Sequence, residues 1–571
     1  MDRRDVLKTV AAAGIASAAF ARALEALAAA APAVTSEMIG QAEWLSGIKT
    51  TDAQRKLMLE DLGKADAAYQ SLRAQPLDNG VPPAFHVSSA KAAGLPPRKP
   101  EAAGKPKRPR RVPPPGDERS VAYAPVTLLS EWLRTKAISS TELTKLYLRR
   151  IATLDPGLHA VITPTEATAL LQAARADAEI VRGNVRGPLH GVPYGAKDLL
   201  AAKGYPTTWG SPLFKDQTFD HNAAVIDRLE EAGAVLVAKT AVGELAWGDV
   251  WFGGMCRNPW KLDQGSSGSS AGSASLVAAG AVGFAIGTET WGSIVSPSTR
   301  CGTTGLRPTF GRVSRFGVMA LSWTMDKVGP IARSVEDCAL VFAAIHGEDA
   351  REPASRTAPF AWPVARDPKT LRLGFVKPLF DADYTKWADP GEDKAGYAEW
   401  KTLDAAVPDA LRKIGFRLEP IALEFEVPVA PLQTILTAEA ATAFDALVRD
   451  GRVDNMVRQT ADAWPNTFRE GELIPAVEYI RANRVRTMLM REMAKLFDAI
   501  DVYVVPSFGG DNQLLTNLTG HPAVAVPDGF RADGTPVSIT FQGPIDGDDL
   551  VLAVAQAYQE ATGFHTKHPP L

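Results

Sequence analysis

Between Gly265 and Arg315 the chain passes through two serine-bearing, glycine-rich loops set around small and apolar residues. The first is Gly265-Ser266-Ser267-Gly268-Ser269-Ser270-Ala271-Gly272-Ser273. It runs into Ala274 to Ala279, whose small side chains suit a helix packed close against other backbone. Ala281 to Ile286 then reads as a buried strand. The second loop follows as Gly287-Thr288-Glu289-Thr290-Trp291-Gly292-Ser293-Ile294. A glycine just before a serine lets the backbone turn sharply, so the amides of Thr290, Trp291, Gly292 and Ser293 can converge on one point. Donors so arranged stabilise the oxyanion of a tetrahedral intermediate. Taken alone, the first loop also reads as a flexible serine linker and the second as an ordinary strand-to-loop turn.

A serine attacks a carbonyl only if something takes its proton, and Lys197 is the candidate. It follows a turn in Gly191-Val192-Pro193-Tyr194-Gly195-Ala196-Lys197-Asp198-Leu199-Leu200, where an apolar run lets the lysine face the interior. A solvated lysine titrates near about 10.4. Service as a base at neutral pH needs burial to lower that value by roughly three units. The alternative is a solvated Lys-Asp pair in a surface loop. With lysine as base, the serines need no histidine.

With 571 residues, 46% of them hydrophobic, the chain can bury a large core: one big α/β domain plus an extension. A net charge of −3 argues against a dedicated nucleic-acid binder. The three cysteines, Cys256, Cys301 and Cys338, lack paired or metal-ligand spacing, so neither a disulfide framework nor a metal site is expected.

In order along the chain, these features resemble the amidase signature family. The Gly-Val-Pro…Lys-Asp motif is followed by Thr207-Thr208-Trp209-Gly210-Ser211, Ala238-Lys239-Thr240, Asn258-Pro259-Trp260 and the serine loops. Then come Cys301-Gly302-Thr303-Thr304-Gly305-Leu306-Arg307-Pro308-Thr309, Gly311-Arg312-Val313-Ser314-Arg315 and Asp326-Lys327-Val328-Gly329-Pro330. Near the end, Asn517, Gly520, Pro522, Ala523 and Pro527 resemble the family's closing core, so the likeness spans about residues 120 to 571. It implies a central mixed β-sheet covered by helices on both sides. It also implies a serine hydrolase cleaving carboxylic amide C–N bonds through an acyl-enzyme, without cofactor or metal. Carried over by position, Lys197 is the base, Ser269 the bridging serine after a cis peptide, and Ser293 the acylated nucleophile. The amides of Thr290, Trp291, Gly292 and Ser293 form the oxyanion hole. The implied partner is a small-molecule amide, with substrate-binding residues unassigned, no nucleic acid, and a homodimer as the frequent state of relatives.

Two departures stand out. Many members carry aspartate where this chain has Glu289 and arginine where it has Val295, a structural pair changed here at both ends. Trp291 beside the nucleophile is the second, and points to an apolar or aromatic acyl group. Two rival readings remain. Gly268-Ser269-Ser270-Ala271-Gly272 fits a nucleophile elbow with Ser270 as nucleophile, but the preceding Trp260 to Gln264 is polar and short for the strand an elbow needs. His521, before Pro522, is either a neighbour of the site or a packed loop residue. The second rival is an amidotransferase A-type subunit, which shares the motifs and works with partner subunits on charged tRNA.

Residues 1–33 resemble a twin-arginine signal: Arg3-Arg4 precede an alanine-rich run from Val10 to Ala31. Arg22 and Glu25 make that run a poor membrane span, so the expectation is a periplasmic or secreted enzyme. Residues 34–117 are expected to form a helical extension, with two helices over Met38 to Leu72, and a proline-rich, basic linker. The catalytic domain is expected over 118–571. Its opening helix starts at the capping box Ser139-Ser140-Thr141-Glu142, and a variable, helical, lid-like region covers about 353–501.

Overall fold

The computed structural model describes residues 34–46, 49–59, 62, 79–80, 89–92, 94–96, 98–105, 112–388 and 394–571. The expected signal segment 1–33 and most of the basic run at 105–111 lie outside these residues. The chain divides into two compact units, 1–78 and 79–571. In the first, Ser36–Ser46 is a helix and residues 52–59 are helical, tied by Arg55 and Glu43 at 2.9 Å. The remainder of the two helices expected over Met38 to Leu72 lies outside the described residues.

The described residues between 79 and 117, expected in the extension, fall in the larger unit instead. The reason is specific anchoring. The Asn79 side chain exchanges hydrogen bonds with the backbone of Ala320, Arg98 donates to the Asp546 carbonyl and pairs with Asp549, and Trp132 donates to the Pro113 carbonyl.

The larger unit is built on one mixed sheet of eleven strands. In chain order the strands are β1 (Val161–Pro164), β2 (Pro193–Lys197), β3 (Val235–Thr240), β4 (Val250–Trp251), β5 (Gly254–Met255), β6 (Arg257–Asn258), β7 (Lys261–Gly265), β8 (Phe284–Glu289), β9 (Thr304–Arg307), β10 (Lys327–Ala332), β11 (Leu373–Val376), β12 (Leu418–Ile421), β13 (Val502–Pro506), β14 (Ala523–Phe530) and β15 (Pro536–Gln542). The order across the sheet is β1-β3-β2-β8-β10-β9-β14-β15-β13-β11-β12, while β4–β5 and β6–β7 form two small separate pairs. Strand β2 is parallel to both β3 and β8, so Lys197 and Glu289 end neighbouring strands at the same edge. In open α/β sheets the carboxyl ends of parallel strands are where ligands bind.

Alternation along the strands separates two faces. Tyr194, Phe284, Ile286, Val524 and Val526 join one large core with the helices Val126–Thr135, Ser140–Leu158, Val335–Ile345 and Asp548–Thr562. The other face is lined by small residues, among them Ala285, Ala523 and Ala525. This lets Ala271–Ala278 and Val295–Cys301 lie close against the sheet. At Gly287 the fit is tight: a Cβ there would meet Ser270 Oγ at 2.7 Å. The capping box at Ser139 is formed, with Glu142 reaching back to the Ser139 amide at 2.8 Å.

The 353–501 stretch is not purely a helical lid. It carries helices such as Gln433–Ala443 and Ala476–Ala499, but it also supplies β11 and β12 at the sheet edge. The short apolar run Leu373-Gly374-Phe375-Val376 pairs in parallel with Leu418-Glu419-Pro420-Ile421, which forms the outermost strand.

Candidate active site

Lys197 is fully buried, and its Nζ lies within hydrogen-bond distance of Ser269 Oγ at 2.8 Å, Thr288 Oγ1 at 2.8 Å, Ser270 Oγ at 3.1 Å and the Thr288 carbonyl at 3.3 Å. Among the described residues no carboxylate lies within ion-pair distance of it. Burial therefore dominates and holds its amine well below the ordinary lysine value, against the weaker opposing pull of Asp326 and Glu289.

Lys239 supplies the contrast. It is equally buried but paired at 2.6 Å with Asp198, the other half of the Lys-Asp motif. That carboxylate also accepts from the Thr208 amide and hydroxyl. Adjacent residues of the motif thus serve opposite purposes: Lys197 faces the serines, Asp198 compensates a second lysine. The surface-loop alternative is excluded. Lys327, also buried, meets backbone carbonyls of Met325 and Asn517 and no hydroxyl.

The first serine loop reaches this cluster through a sharp backbone path. Ser267 has φ +60, and the Gly268–Ser269 peptide is cis. Ser270 is turned inward: its hydroxyl donates to the Thr288 carbonyl at 3.1 Å and accepts the Thr288 amide at 3.2 Å. That occupies the oxygen an elbow nucleophile would leave free. A strand does precede the loop, since Lys261–Gly265 pairs with Arg257–Asn258 despite its polarity, but it lies outside the central sheet. His521 is a packed residue, stacked on Phe497 and bonded to Thr519 Oγ1 at 2.8 Å.

Ser293 follows β8 and lines a cavity of about 430 Å³. Its carbonyl accepts the Ser270 amide at 3.2 Å, which ties the two loops together. Ser269 and Ser293 are not joined by a hydrogen bond in this structure. Among the described residues the amides of Thr290, Trp291, Gly292 and Ser293 have no acceptor. Thr290 is held by its hydroxyl on Asp326, which also accepts the amides of Leu321 and Ser322. Trp291 lines the same cavity and is 41% exposed.

Gly292 has φ +88, and a Cβ there would meet Gln513 Oε1 at 2.1 Å and Ser296 Oγ at 2.9 Å. Gly292→Ala is therefore expected to displace the turn. The expected loss is about 100-fold in amide turnover, and urea denaturation should show about 1–3 kcal/mol of destabilisation.

Glu289, left without its usual partner in sequence, has another. Arg307 on β9 pairs with it at 2.8 Å, both side chains fully buried, and Asn517 donates to the same oxygen. The second carboxylate oxygen accepts the amides of Ile294 and Val295 at 2.8 and 2.9 Å. Burial acts to raise its pKa, but Arg307 and these donors bring it down to about 2. Arg307 was legible as a motif residue without a role; so was Asp326. The hydroxyl of Thr288, one residue before Glu289, had no sequence signal at all.

The three cysteines are buried, and burial pushes the Cys256 thiol up to about 12, which removes it as a nucleophile at neutral pH. No helix among the described residues is long and apolar enough to cross a membrane.

With this fold and this cluster, the chain belongs to the amidase family, whose model matches residues 142–552. It is 33% identical over 484 residues to the A-type subunit of the glutamyl-tRNA(Gln) amidotransferase of Geobacter metallireducens, covering 77% of this chain and 97% of that one. Among solved structures, the native peptide amidase of Stenotrophomonas maltophilia has 30% identity and a TM-score of 0.65 over 77% of this chain and 97% of its own. A bacterial aryl acylamidase of the amidase signature family has 25% identity and a TM-score of 0.67, covering 78% and 98% of the two chains.

Proposed function

We propose that this protein is a serine hydrolase that cleaves small-molecule carboxylic amides through an acyl-enzyme, with Lys197, Ser269 and Ser293 as its relay. The observation that carries the reading is a fully buried lysine amine, with no carboxylate among the described residues within ion-pair distance, 2.8 Å from a serine hydroxyl. Neutral Lys197 takes the Ser269 proton while Ser269 takes the Ser293 proton, and the Ser293 oxygen bonds to the amide carbon. The oxyanion rests on the amides of residues 290–293. When the C–N bond breaks, the proton on Lys197 returns through Ser269 to the departing nitrogen. Water then attacks the ester by the reverse path, releasing acid and regenerating the serine. In the relay Ser269 moves onto Ser293, since the two are not yet hydrogen-bonded; such bonds commonly tighten only when substrate is in place.

Likeness to the peptide amidase and the aryl acylamidase supports amide hydrolysis as the chemistry. The amidotransferase likeness supports a second reading, an A-type subunit delivering ammonia to a partner. The twin-arginine resemblance at residues 1–33, and with it export to the periplasm, favours the free-standing hydrolase.

The test is fluorophosphonate labelling of the purified protein with peptide mapping. An adduct on Ser293 is expected, with hydrolysis of simple amides by the protein alone. An adduct on Ser270, or amidase activity only with added partner subunits, would replace this reading.

A further inference from the structure

The cavity in front of Ser293 holds one cation, Arg300, that no group among the described residues pairs with directly. Ser293, Ser296 and Arg300 share it: Ser293 sits in the turn just before the Val295–Cys301 helix, and Ser296 and Arg300, four residues apart, lie on one face of that helix. Arg300 is half-buried, yet among the described residues its guanidinium has no hydrogen-bond acceptor and no carboxylate within 4 Å. The acid in the cavity wall, Asp249, is engaged elsewhere. One of its oxygens accepts the Ser267 amide at 3.0 Å, and the other faces Arg458 at 3.6 Å. Arg300 bears on Asp249 as a charge, but less than Arg458 does. Much of the remaining wall is apolar, with three indoles from Trp247, Trp291 and Trp464.

A guanidinium has five donors in a planar fork. Half-withdrawn from water and unanswered by protein, such a fork matches a carboxylate with two parallel hydrogen bonds. Helical side chains lean toward the helix N-terminus, so Arg300 reaches back toward Ser293. The turn at Ser293 and the helix from Val295 place its Cα on the order of 10 Å away, and the side chain recovers part of that distance. A bound carboxylate would sit several bonds from the carbonyl at Ser293.

We infer that the preferred substrates are amides carrying a carboxylate several bonds from the scissile carbonyl, with Arg300 as the residue that selects them. This rests on the hydrolase reading above and deepens it. The three indoles fit a hydrocarbon or aryl spacer between the two groups.

Two matched pairs test the inference and locate the carboxylate. Adipic acid monoamide against hexanamide places it on the acyl side; N-hexanoyl-β-alanine against N-hexanoyl-propylamine places it on the leaving amine. In at least one pair kcat/KM should favour the anion by about 10- to 100-fold, the factor carried by a charge-assisted hydrogen bond. Arg300→Gln should collapse that ratio, mainly through KM, and Arg300→Lys should restore part of it. Fluorophosphonate labelling of Ser293 in each variant confirms an intact site. Equal turnover within both pairs, or an unchanged ratio in Arg300→Gln, overturns the inference and leaves the hydrolase standing. No turnover of any of the four, together with no Ser293 adduct, overturns both.

Discussion

Lys197→Met is expected to lower kcat for amide hydrolysis by about 10,000-fold or more, the scale seen when one member of a catalytic relay is removed, while the protein melts at or above the wild-type temperature. The two halves of this expectation share one cause. The amine is fully buried without a carboxylate in ion-pair distance among the described residues, so burial disfavours its charged form. Its folded pKa lies below its unfolded value. As pH falls below about 10.4, the unfolded chain therefore takes up a proton that the folded chain refuses. Stability is lost over that window, down to the folded pKa, and the loss persists at every lower pH. Methionine fills similar volume and carries no such penalty. A variant that loses both activity and several degrees of stability would mean that Lys197 is held mainly as a structural hydrogen-bond hub for Ser269, Ser270 and Thr288.

The same shift has a kinetic sign. Only the neutral amine accepts the Ser269 proton, so kcat should rise with pH along one ascending limb, with its midpoint well below the ordinary lysine value. A limb centred near that value would show that the amine is solvated when substrate is bound.

What the sequence discloses differs between the two serine loops and the rest of the site. Lys197, Ser269 and Ser293 sit in glycine-punctuated motifs, because each needs a sharp turn or a close approach, and such demands are written in local residue choice. Strand β8 was legible for the same reason, as the apolar run Ala281 to Ile286 between turn signals, while the mixed sheet came with the family resemblance. Arg307 and Thr288 were not legible as partners. Arg307 reaches Glu289 because β8 and β9 lie on either side of β10, and Thr288 reaches Lys197 because β8 pairs with β2; such neighbourhoods are fixed by long-range pairing that leaves no local mark. The edge strands β11 and β12 were hidden by their brevity inside a helix-rich stretch, and residues 79–117 by a composition that resembles a linker. Arg300 carried no signal either: an arginine at the end of a short helix is ordinary until its surroundings show that nothing pairs with it.

Arg307→Met is expected to destabilise the protein by about 3–5 kcal/mol, the cost of leaving one partner of a buried ion pair uncompensated. Glu289 would keep its buried carboxylate and lose its cation. The damage should reach the nucleophile. The other Glu289 oxygen holds the amides of Ile294 and Val295, directly after Ser293, so labelling of Ser293 should slow along with the loss of stability. Glu289→Gln in the same protein should recover much of both. The amide keeps an acceptor for one set of donors and no longer needs a counter-charge. In a double-mutant cycle followed by urea denaturation, the coupling between the two positions should therefore be large, and additive effects would rule the pairing out. The pair also sets an acid limit for the wild type. Glu289 titrates at about 2 when folded and near about 4.3 when unfolded. Its folded pKa is depressed, so its contribution is fully present above the unfolded value and is lost as pH falls from there through about 2. Arg307→Met with Glu289→Gln should lack this component of acid sensitivity.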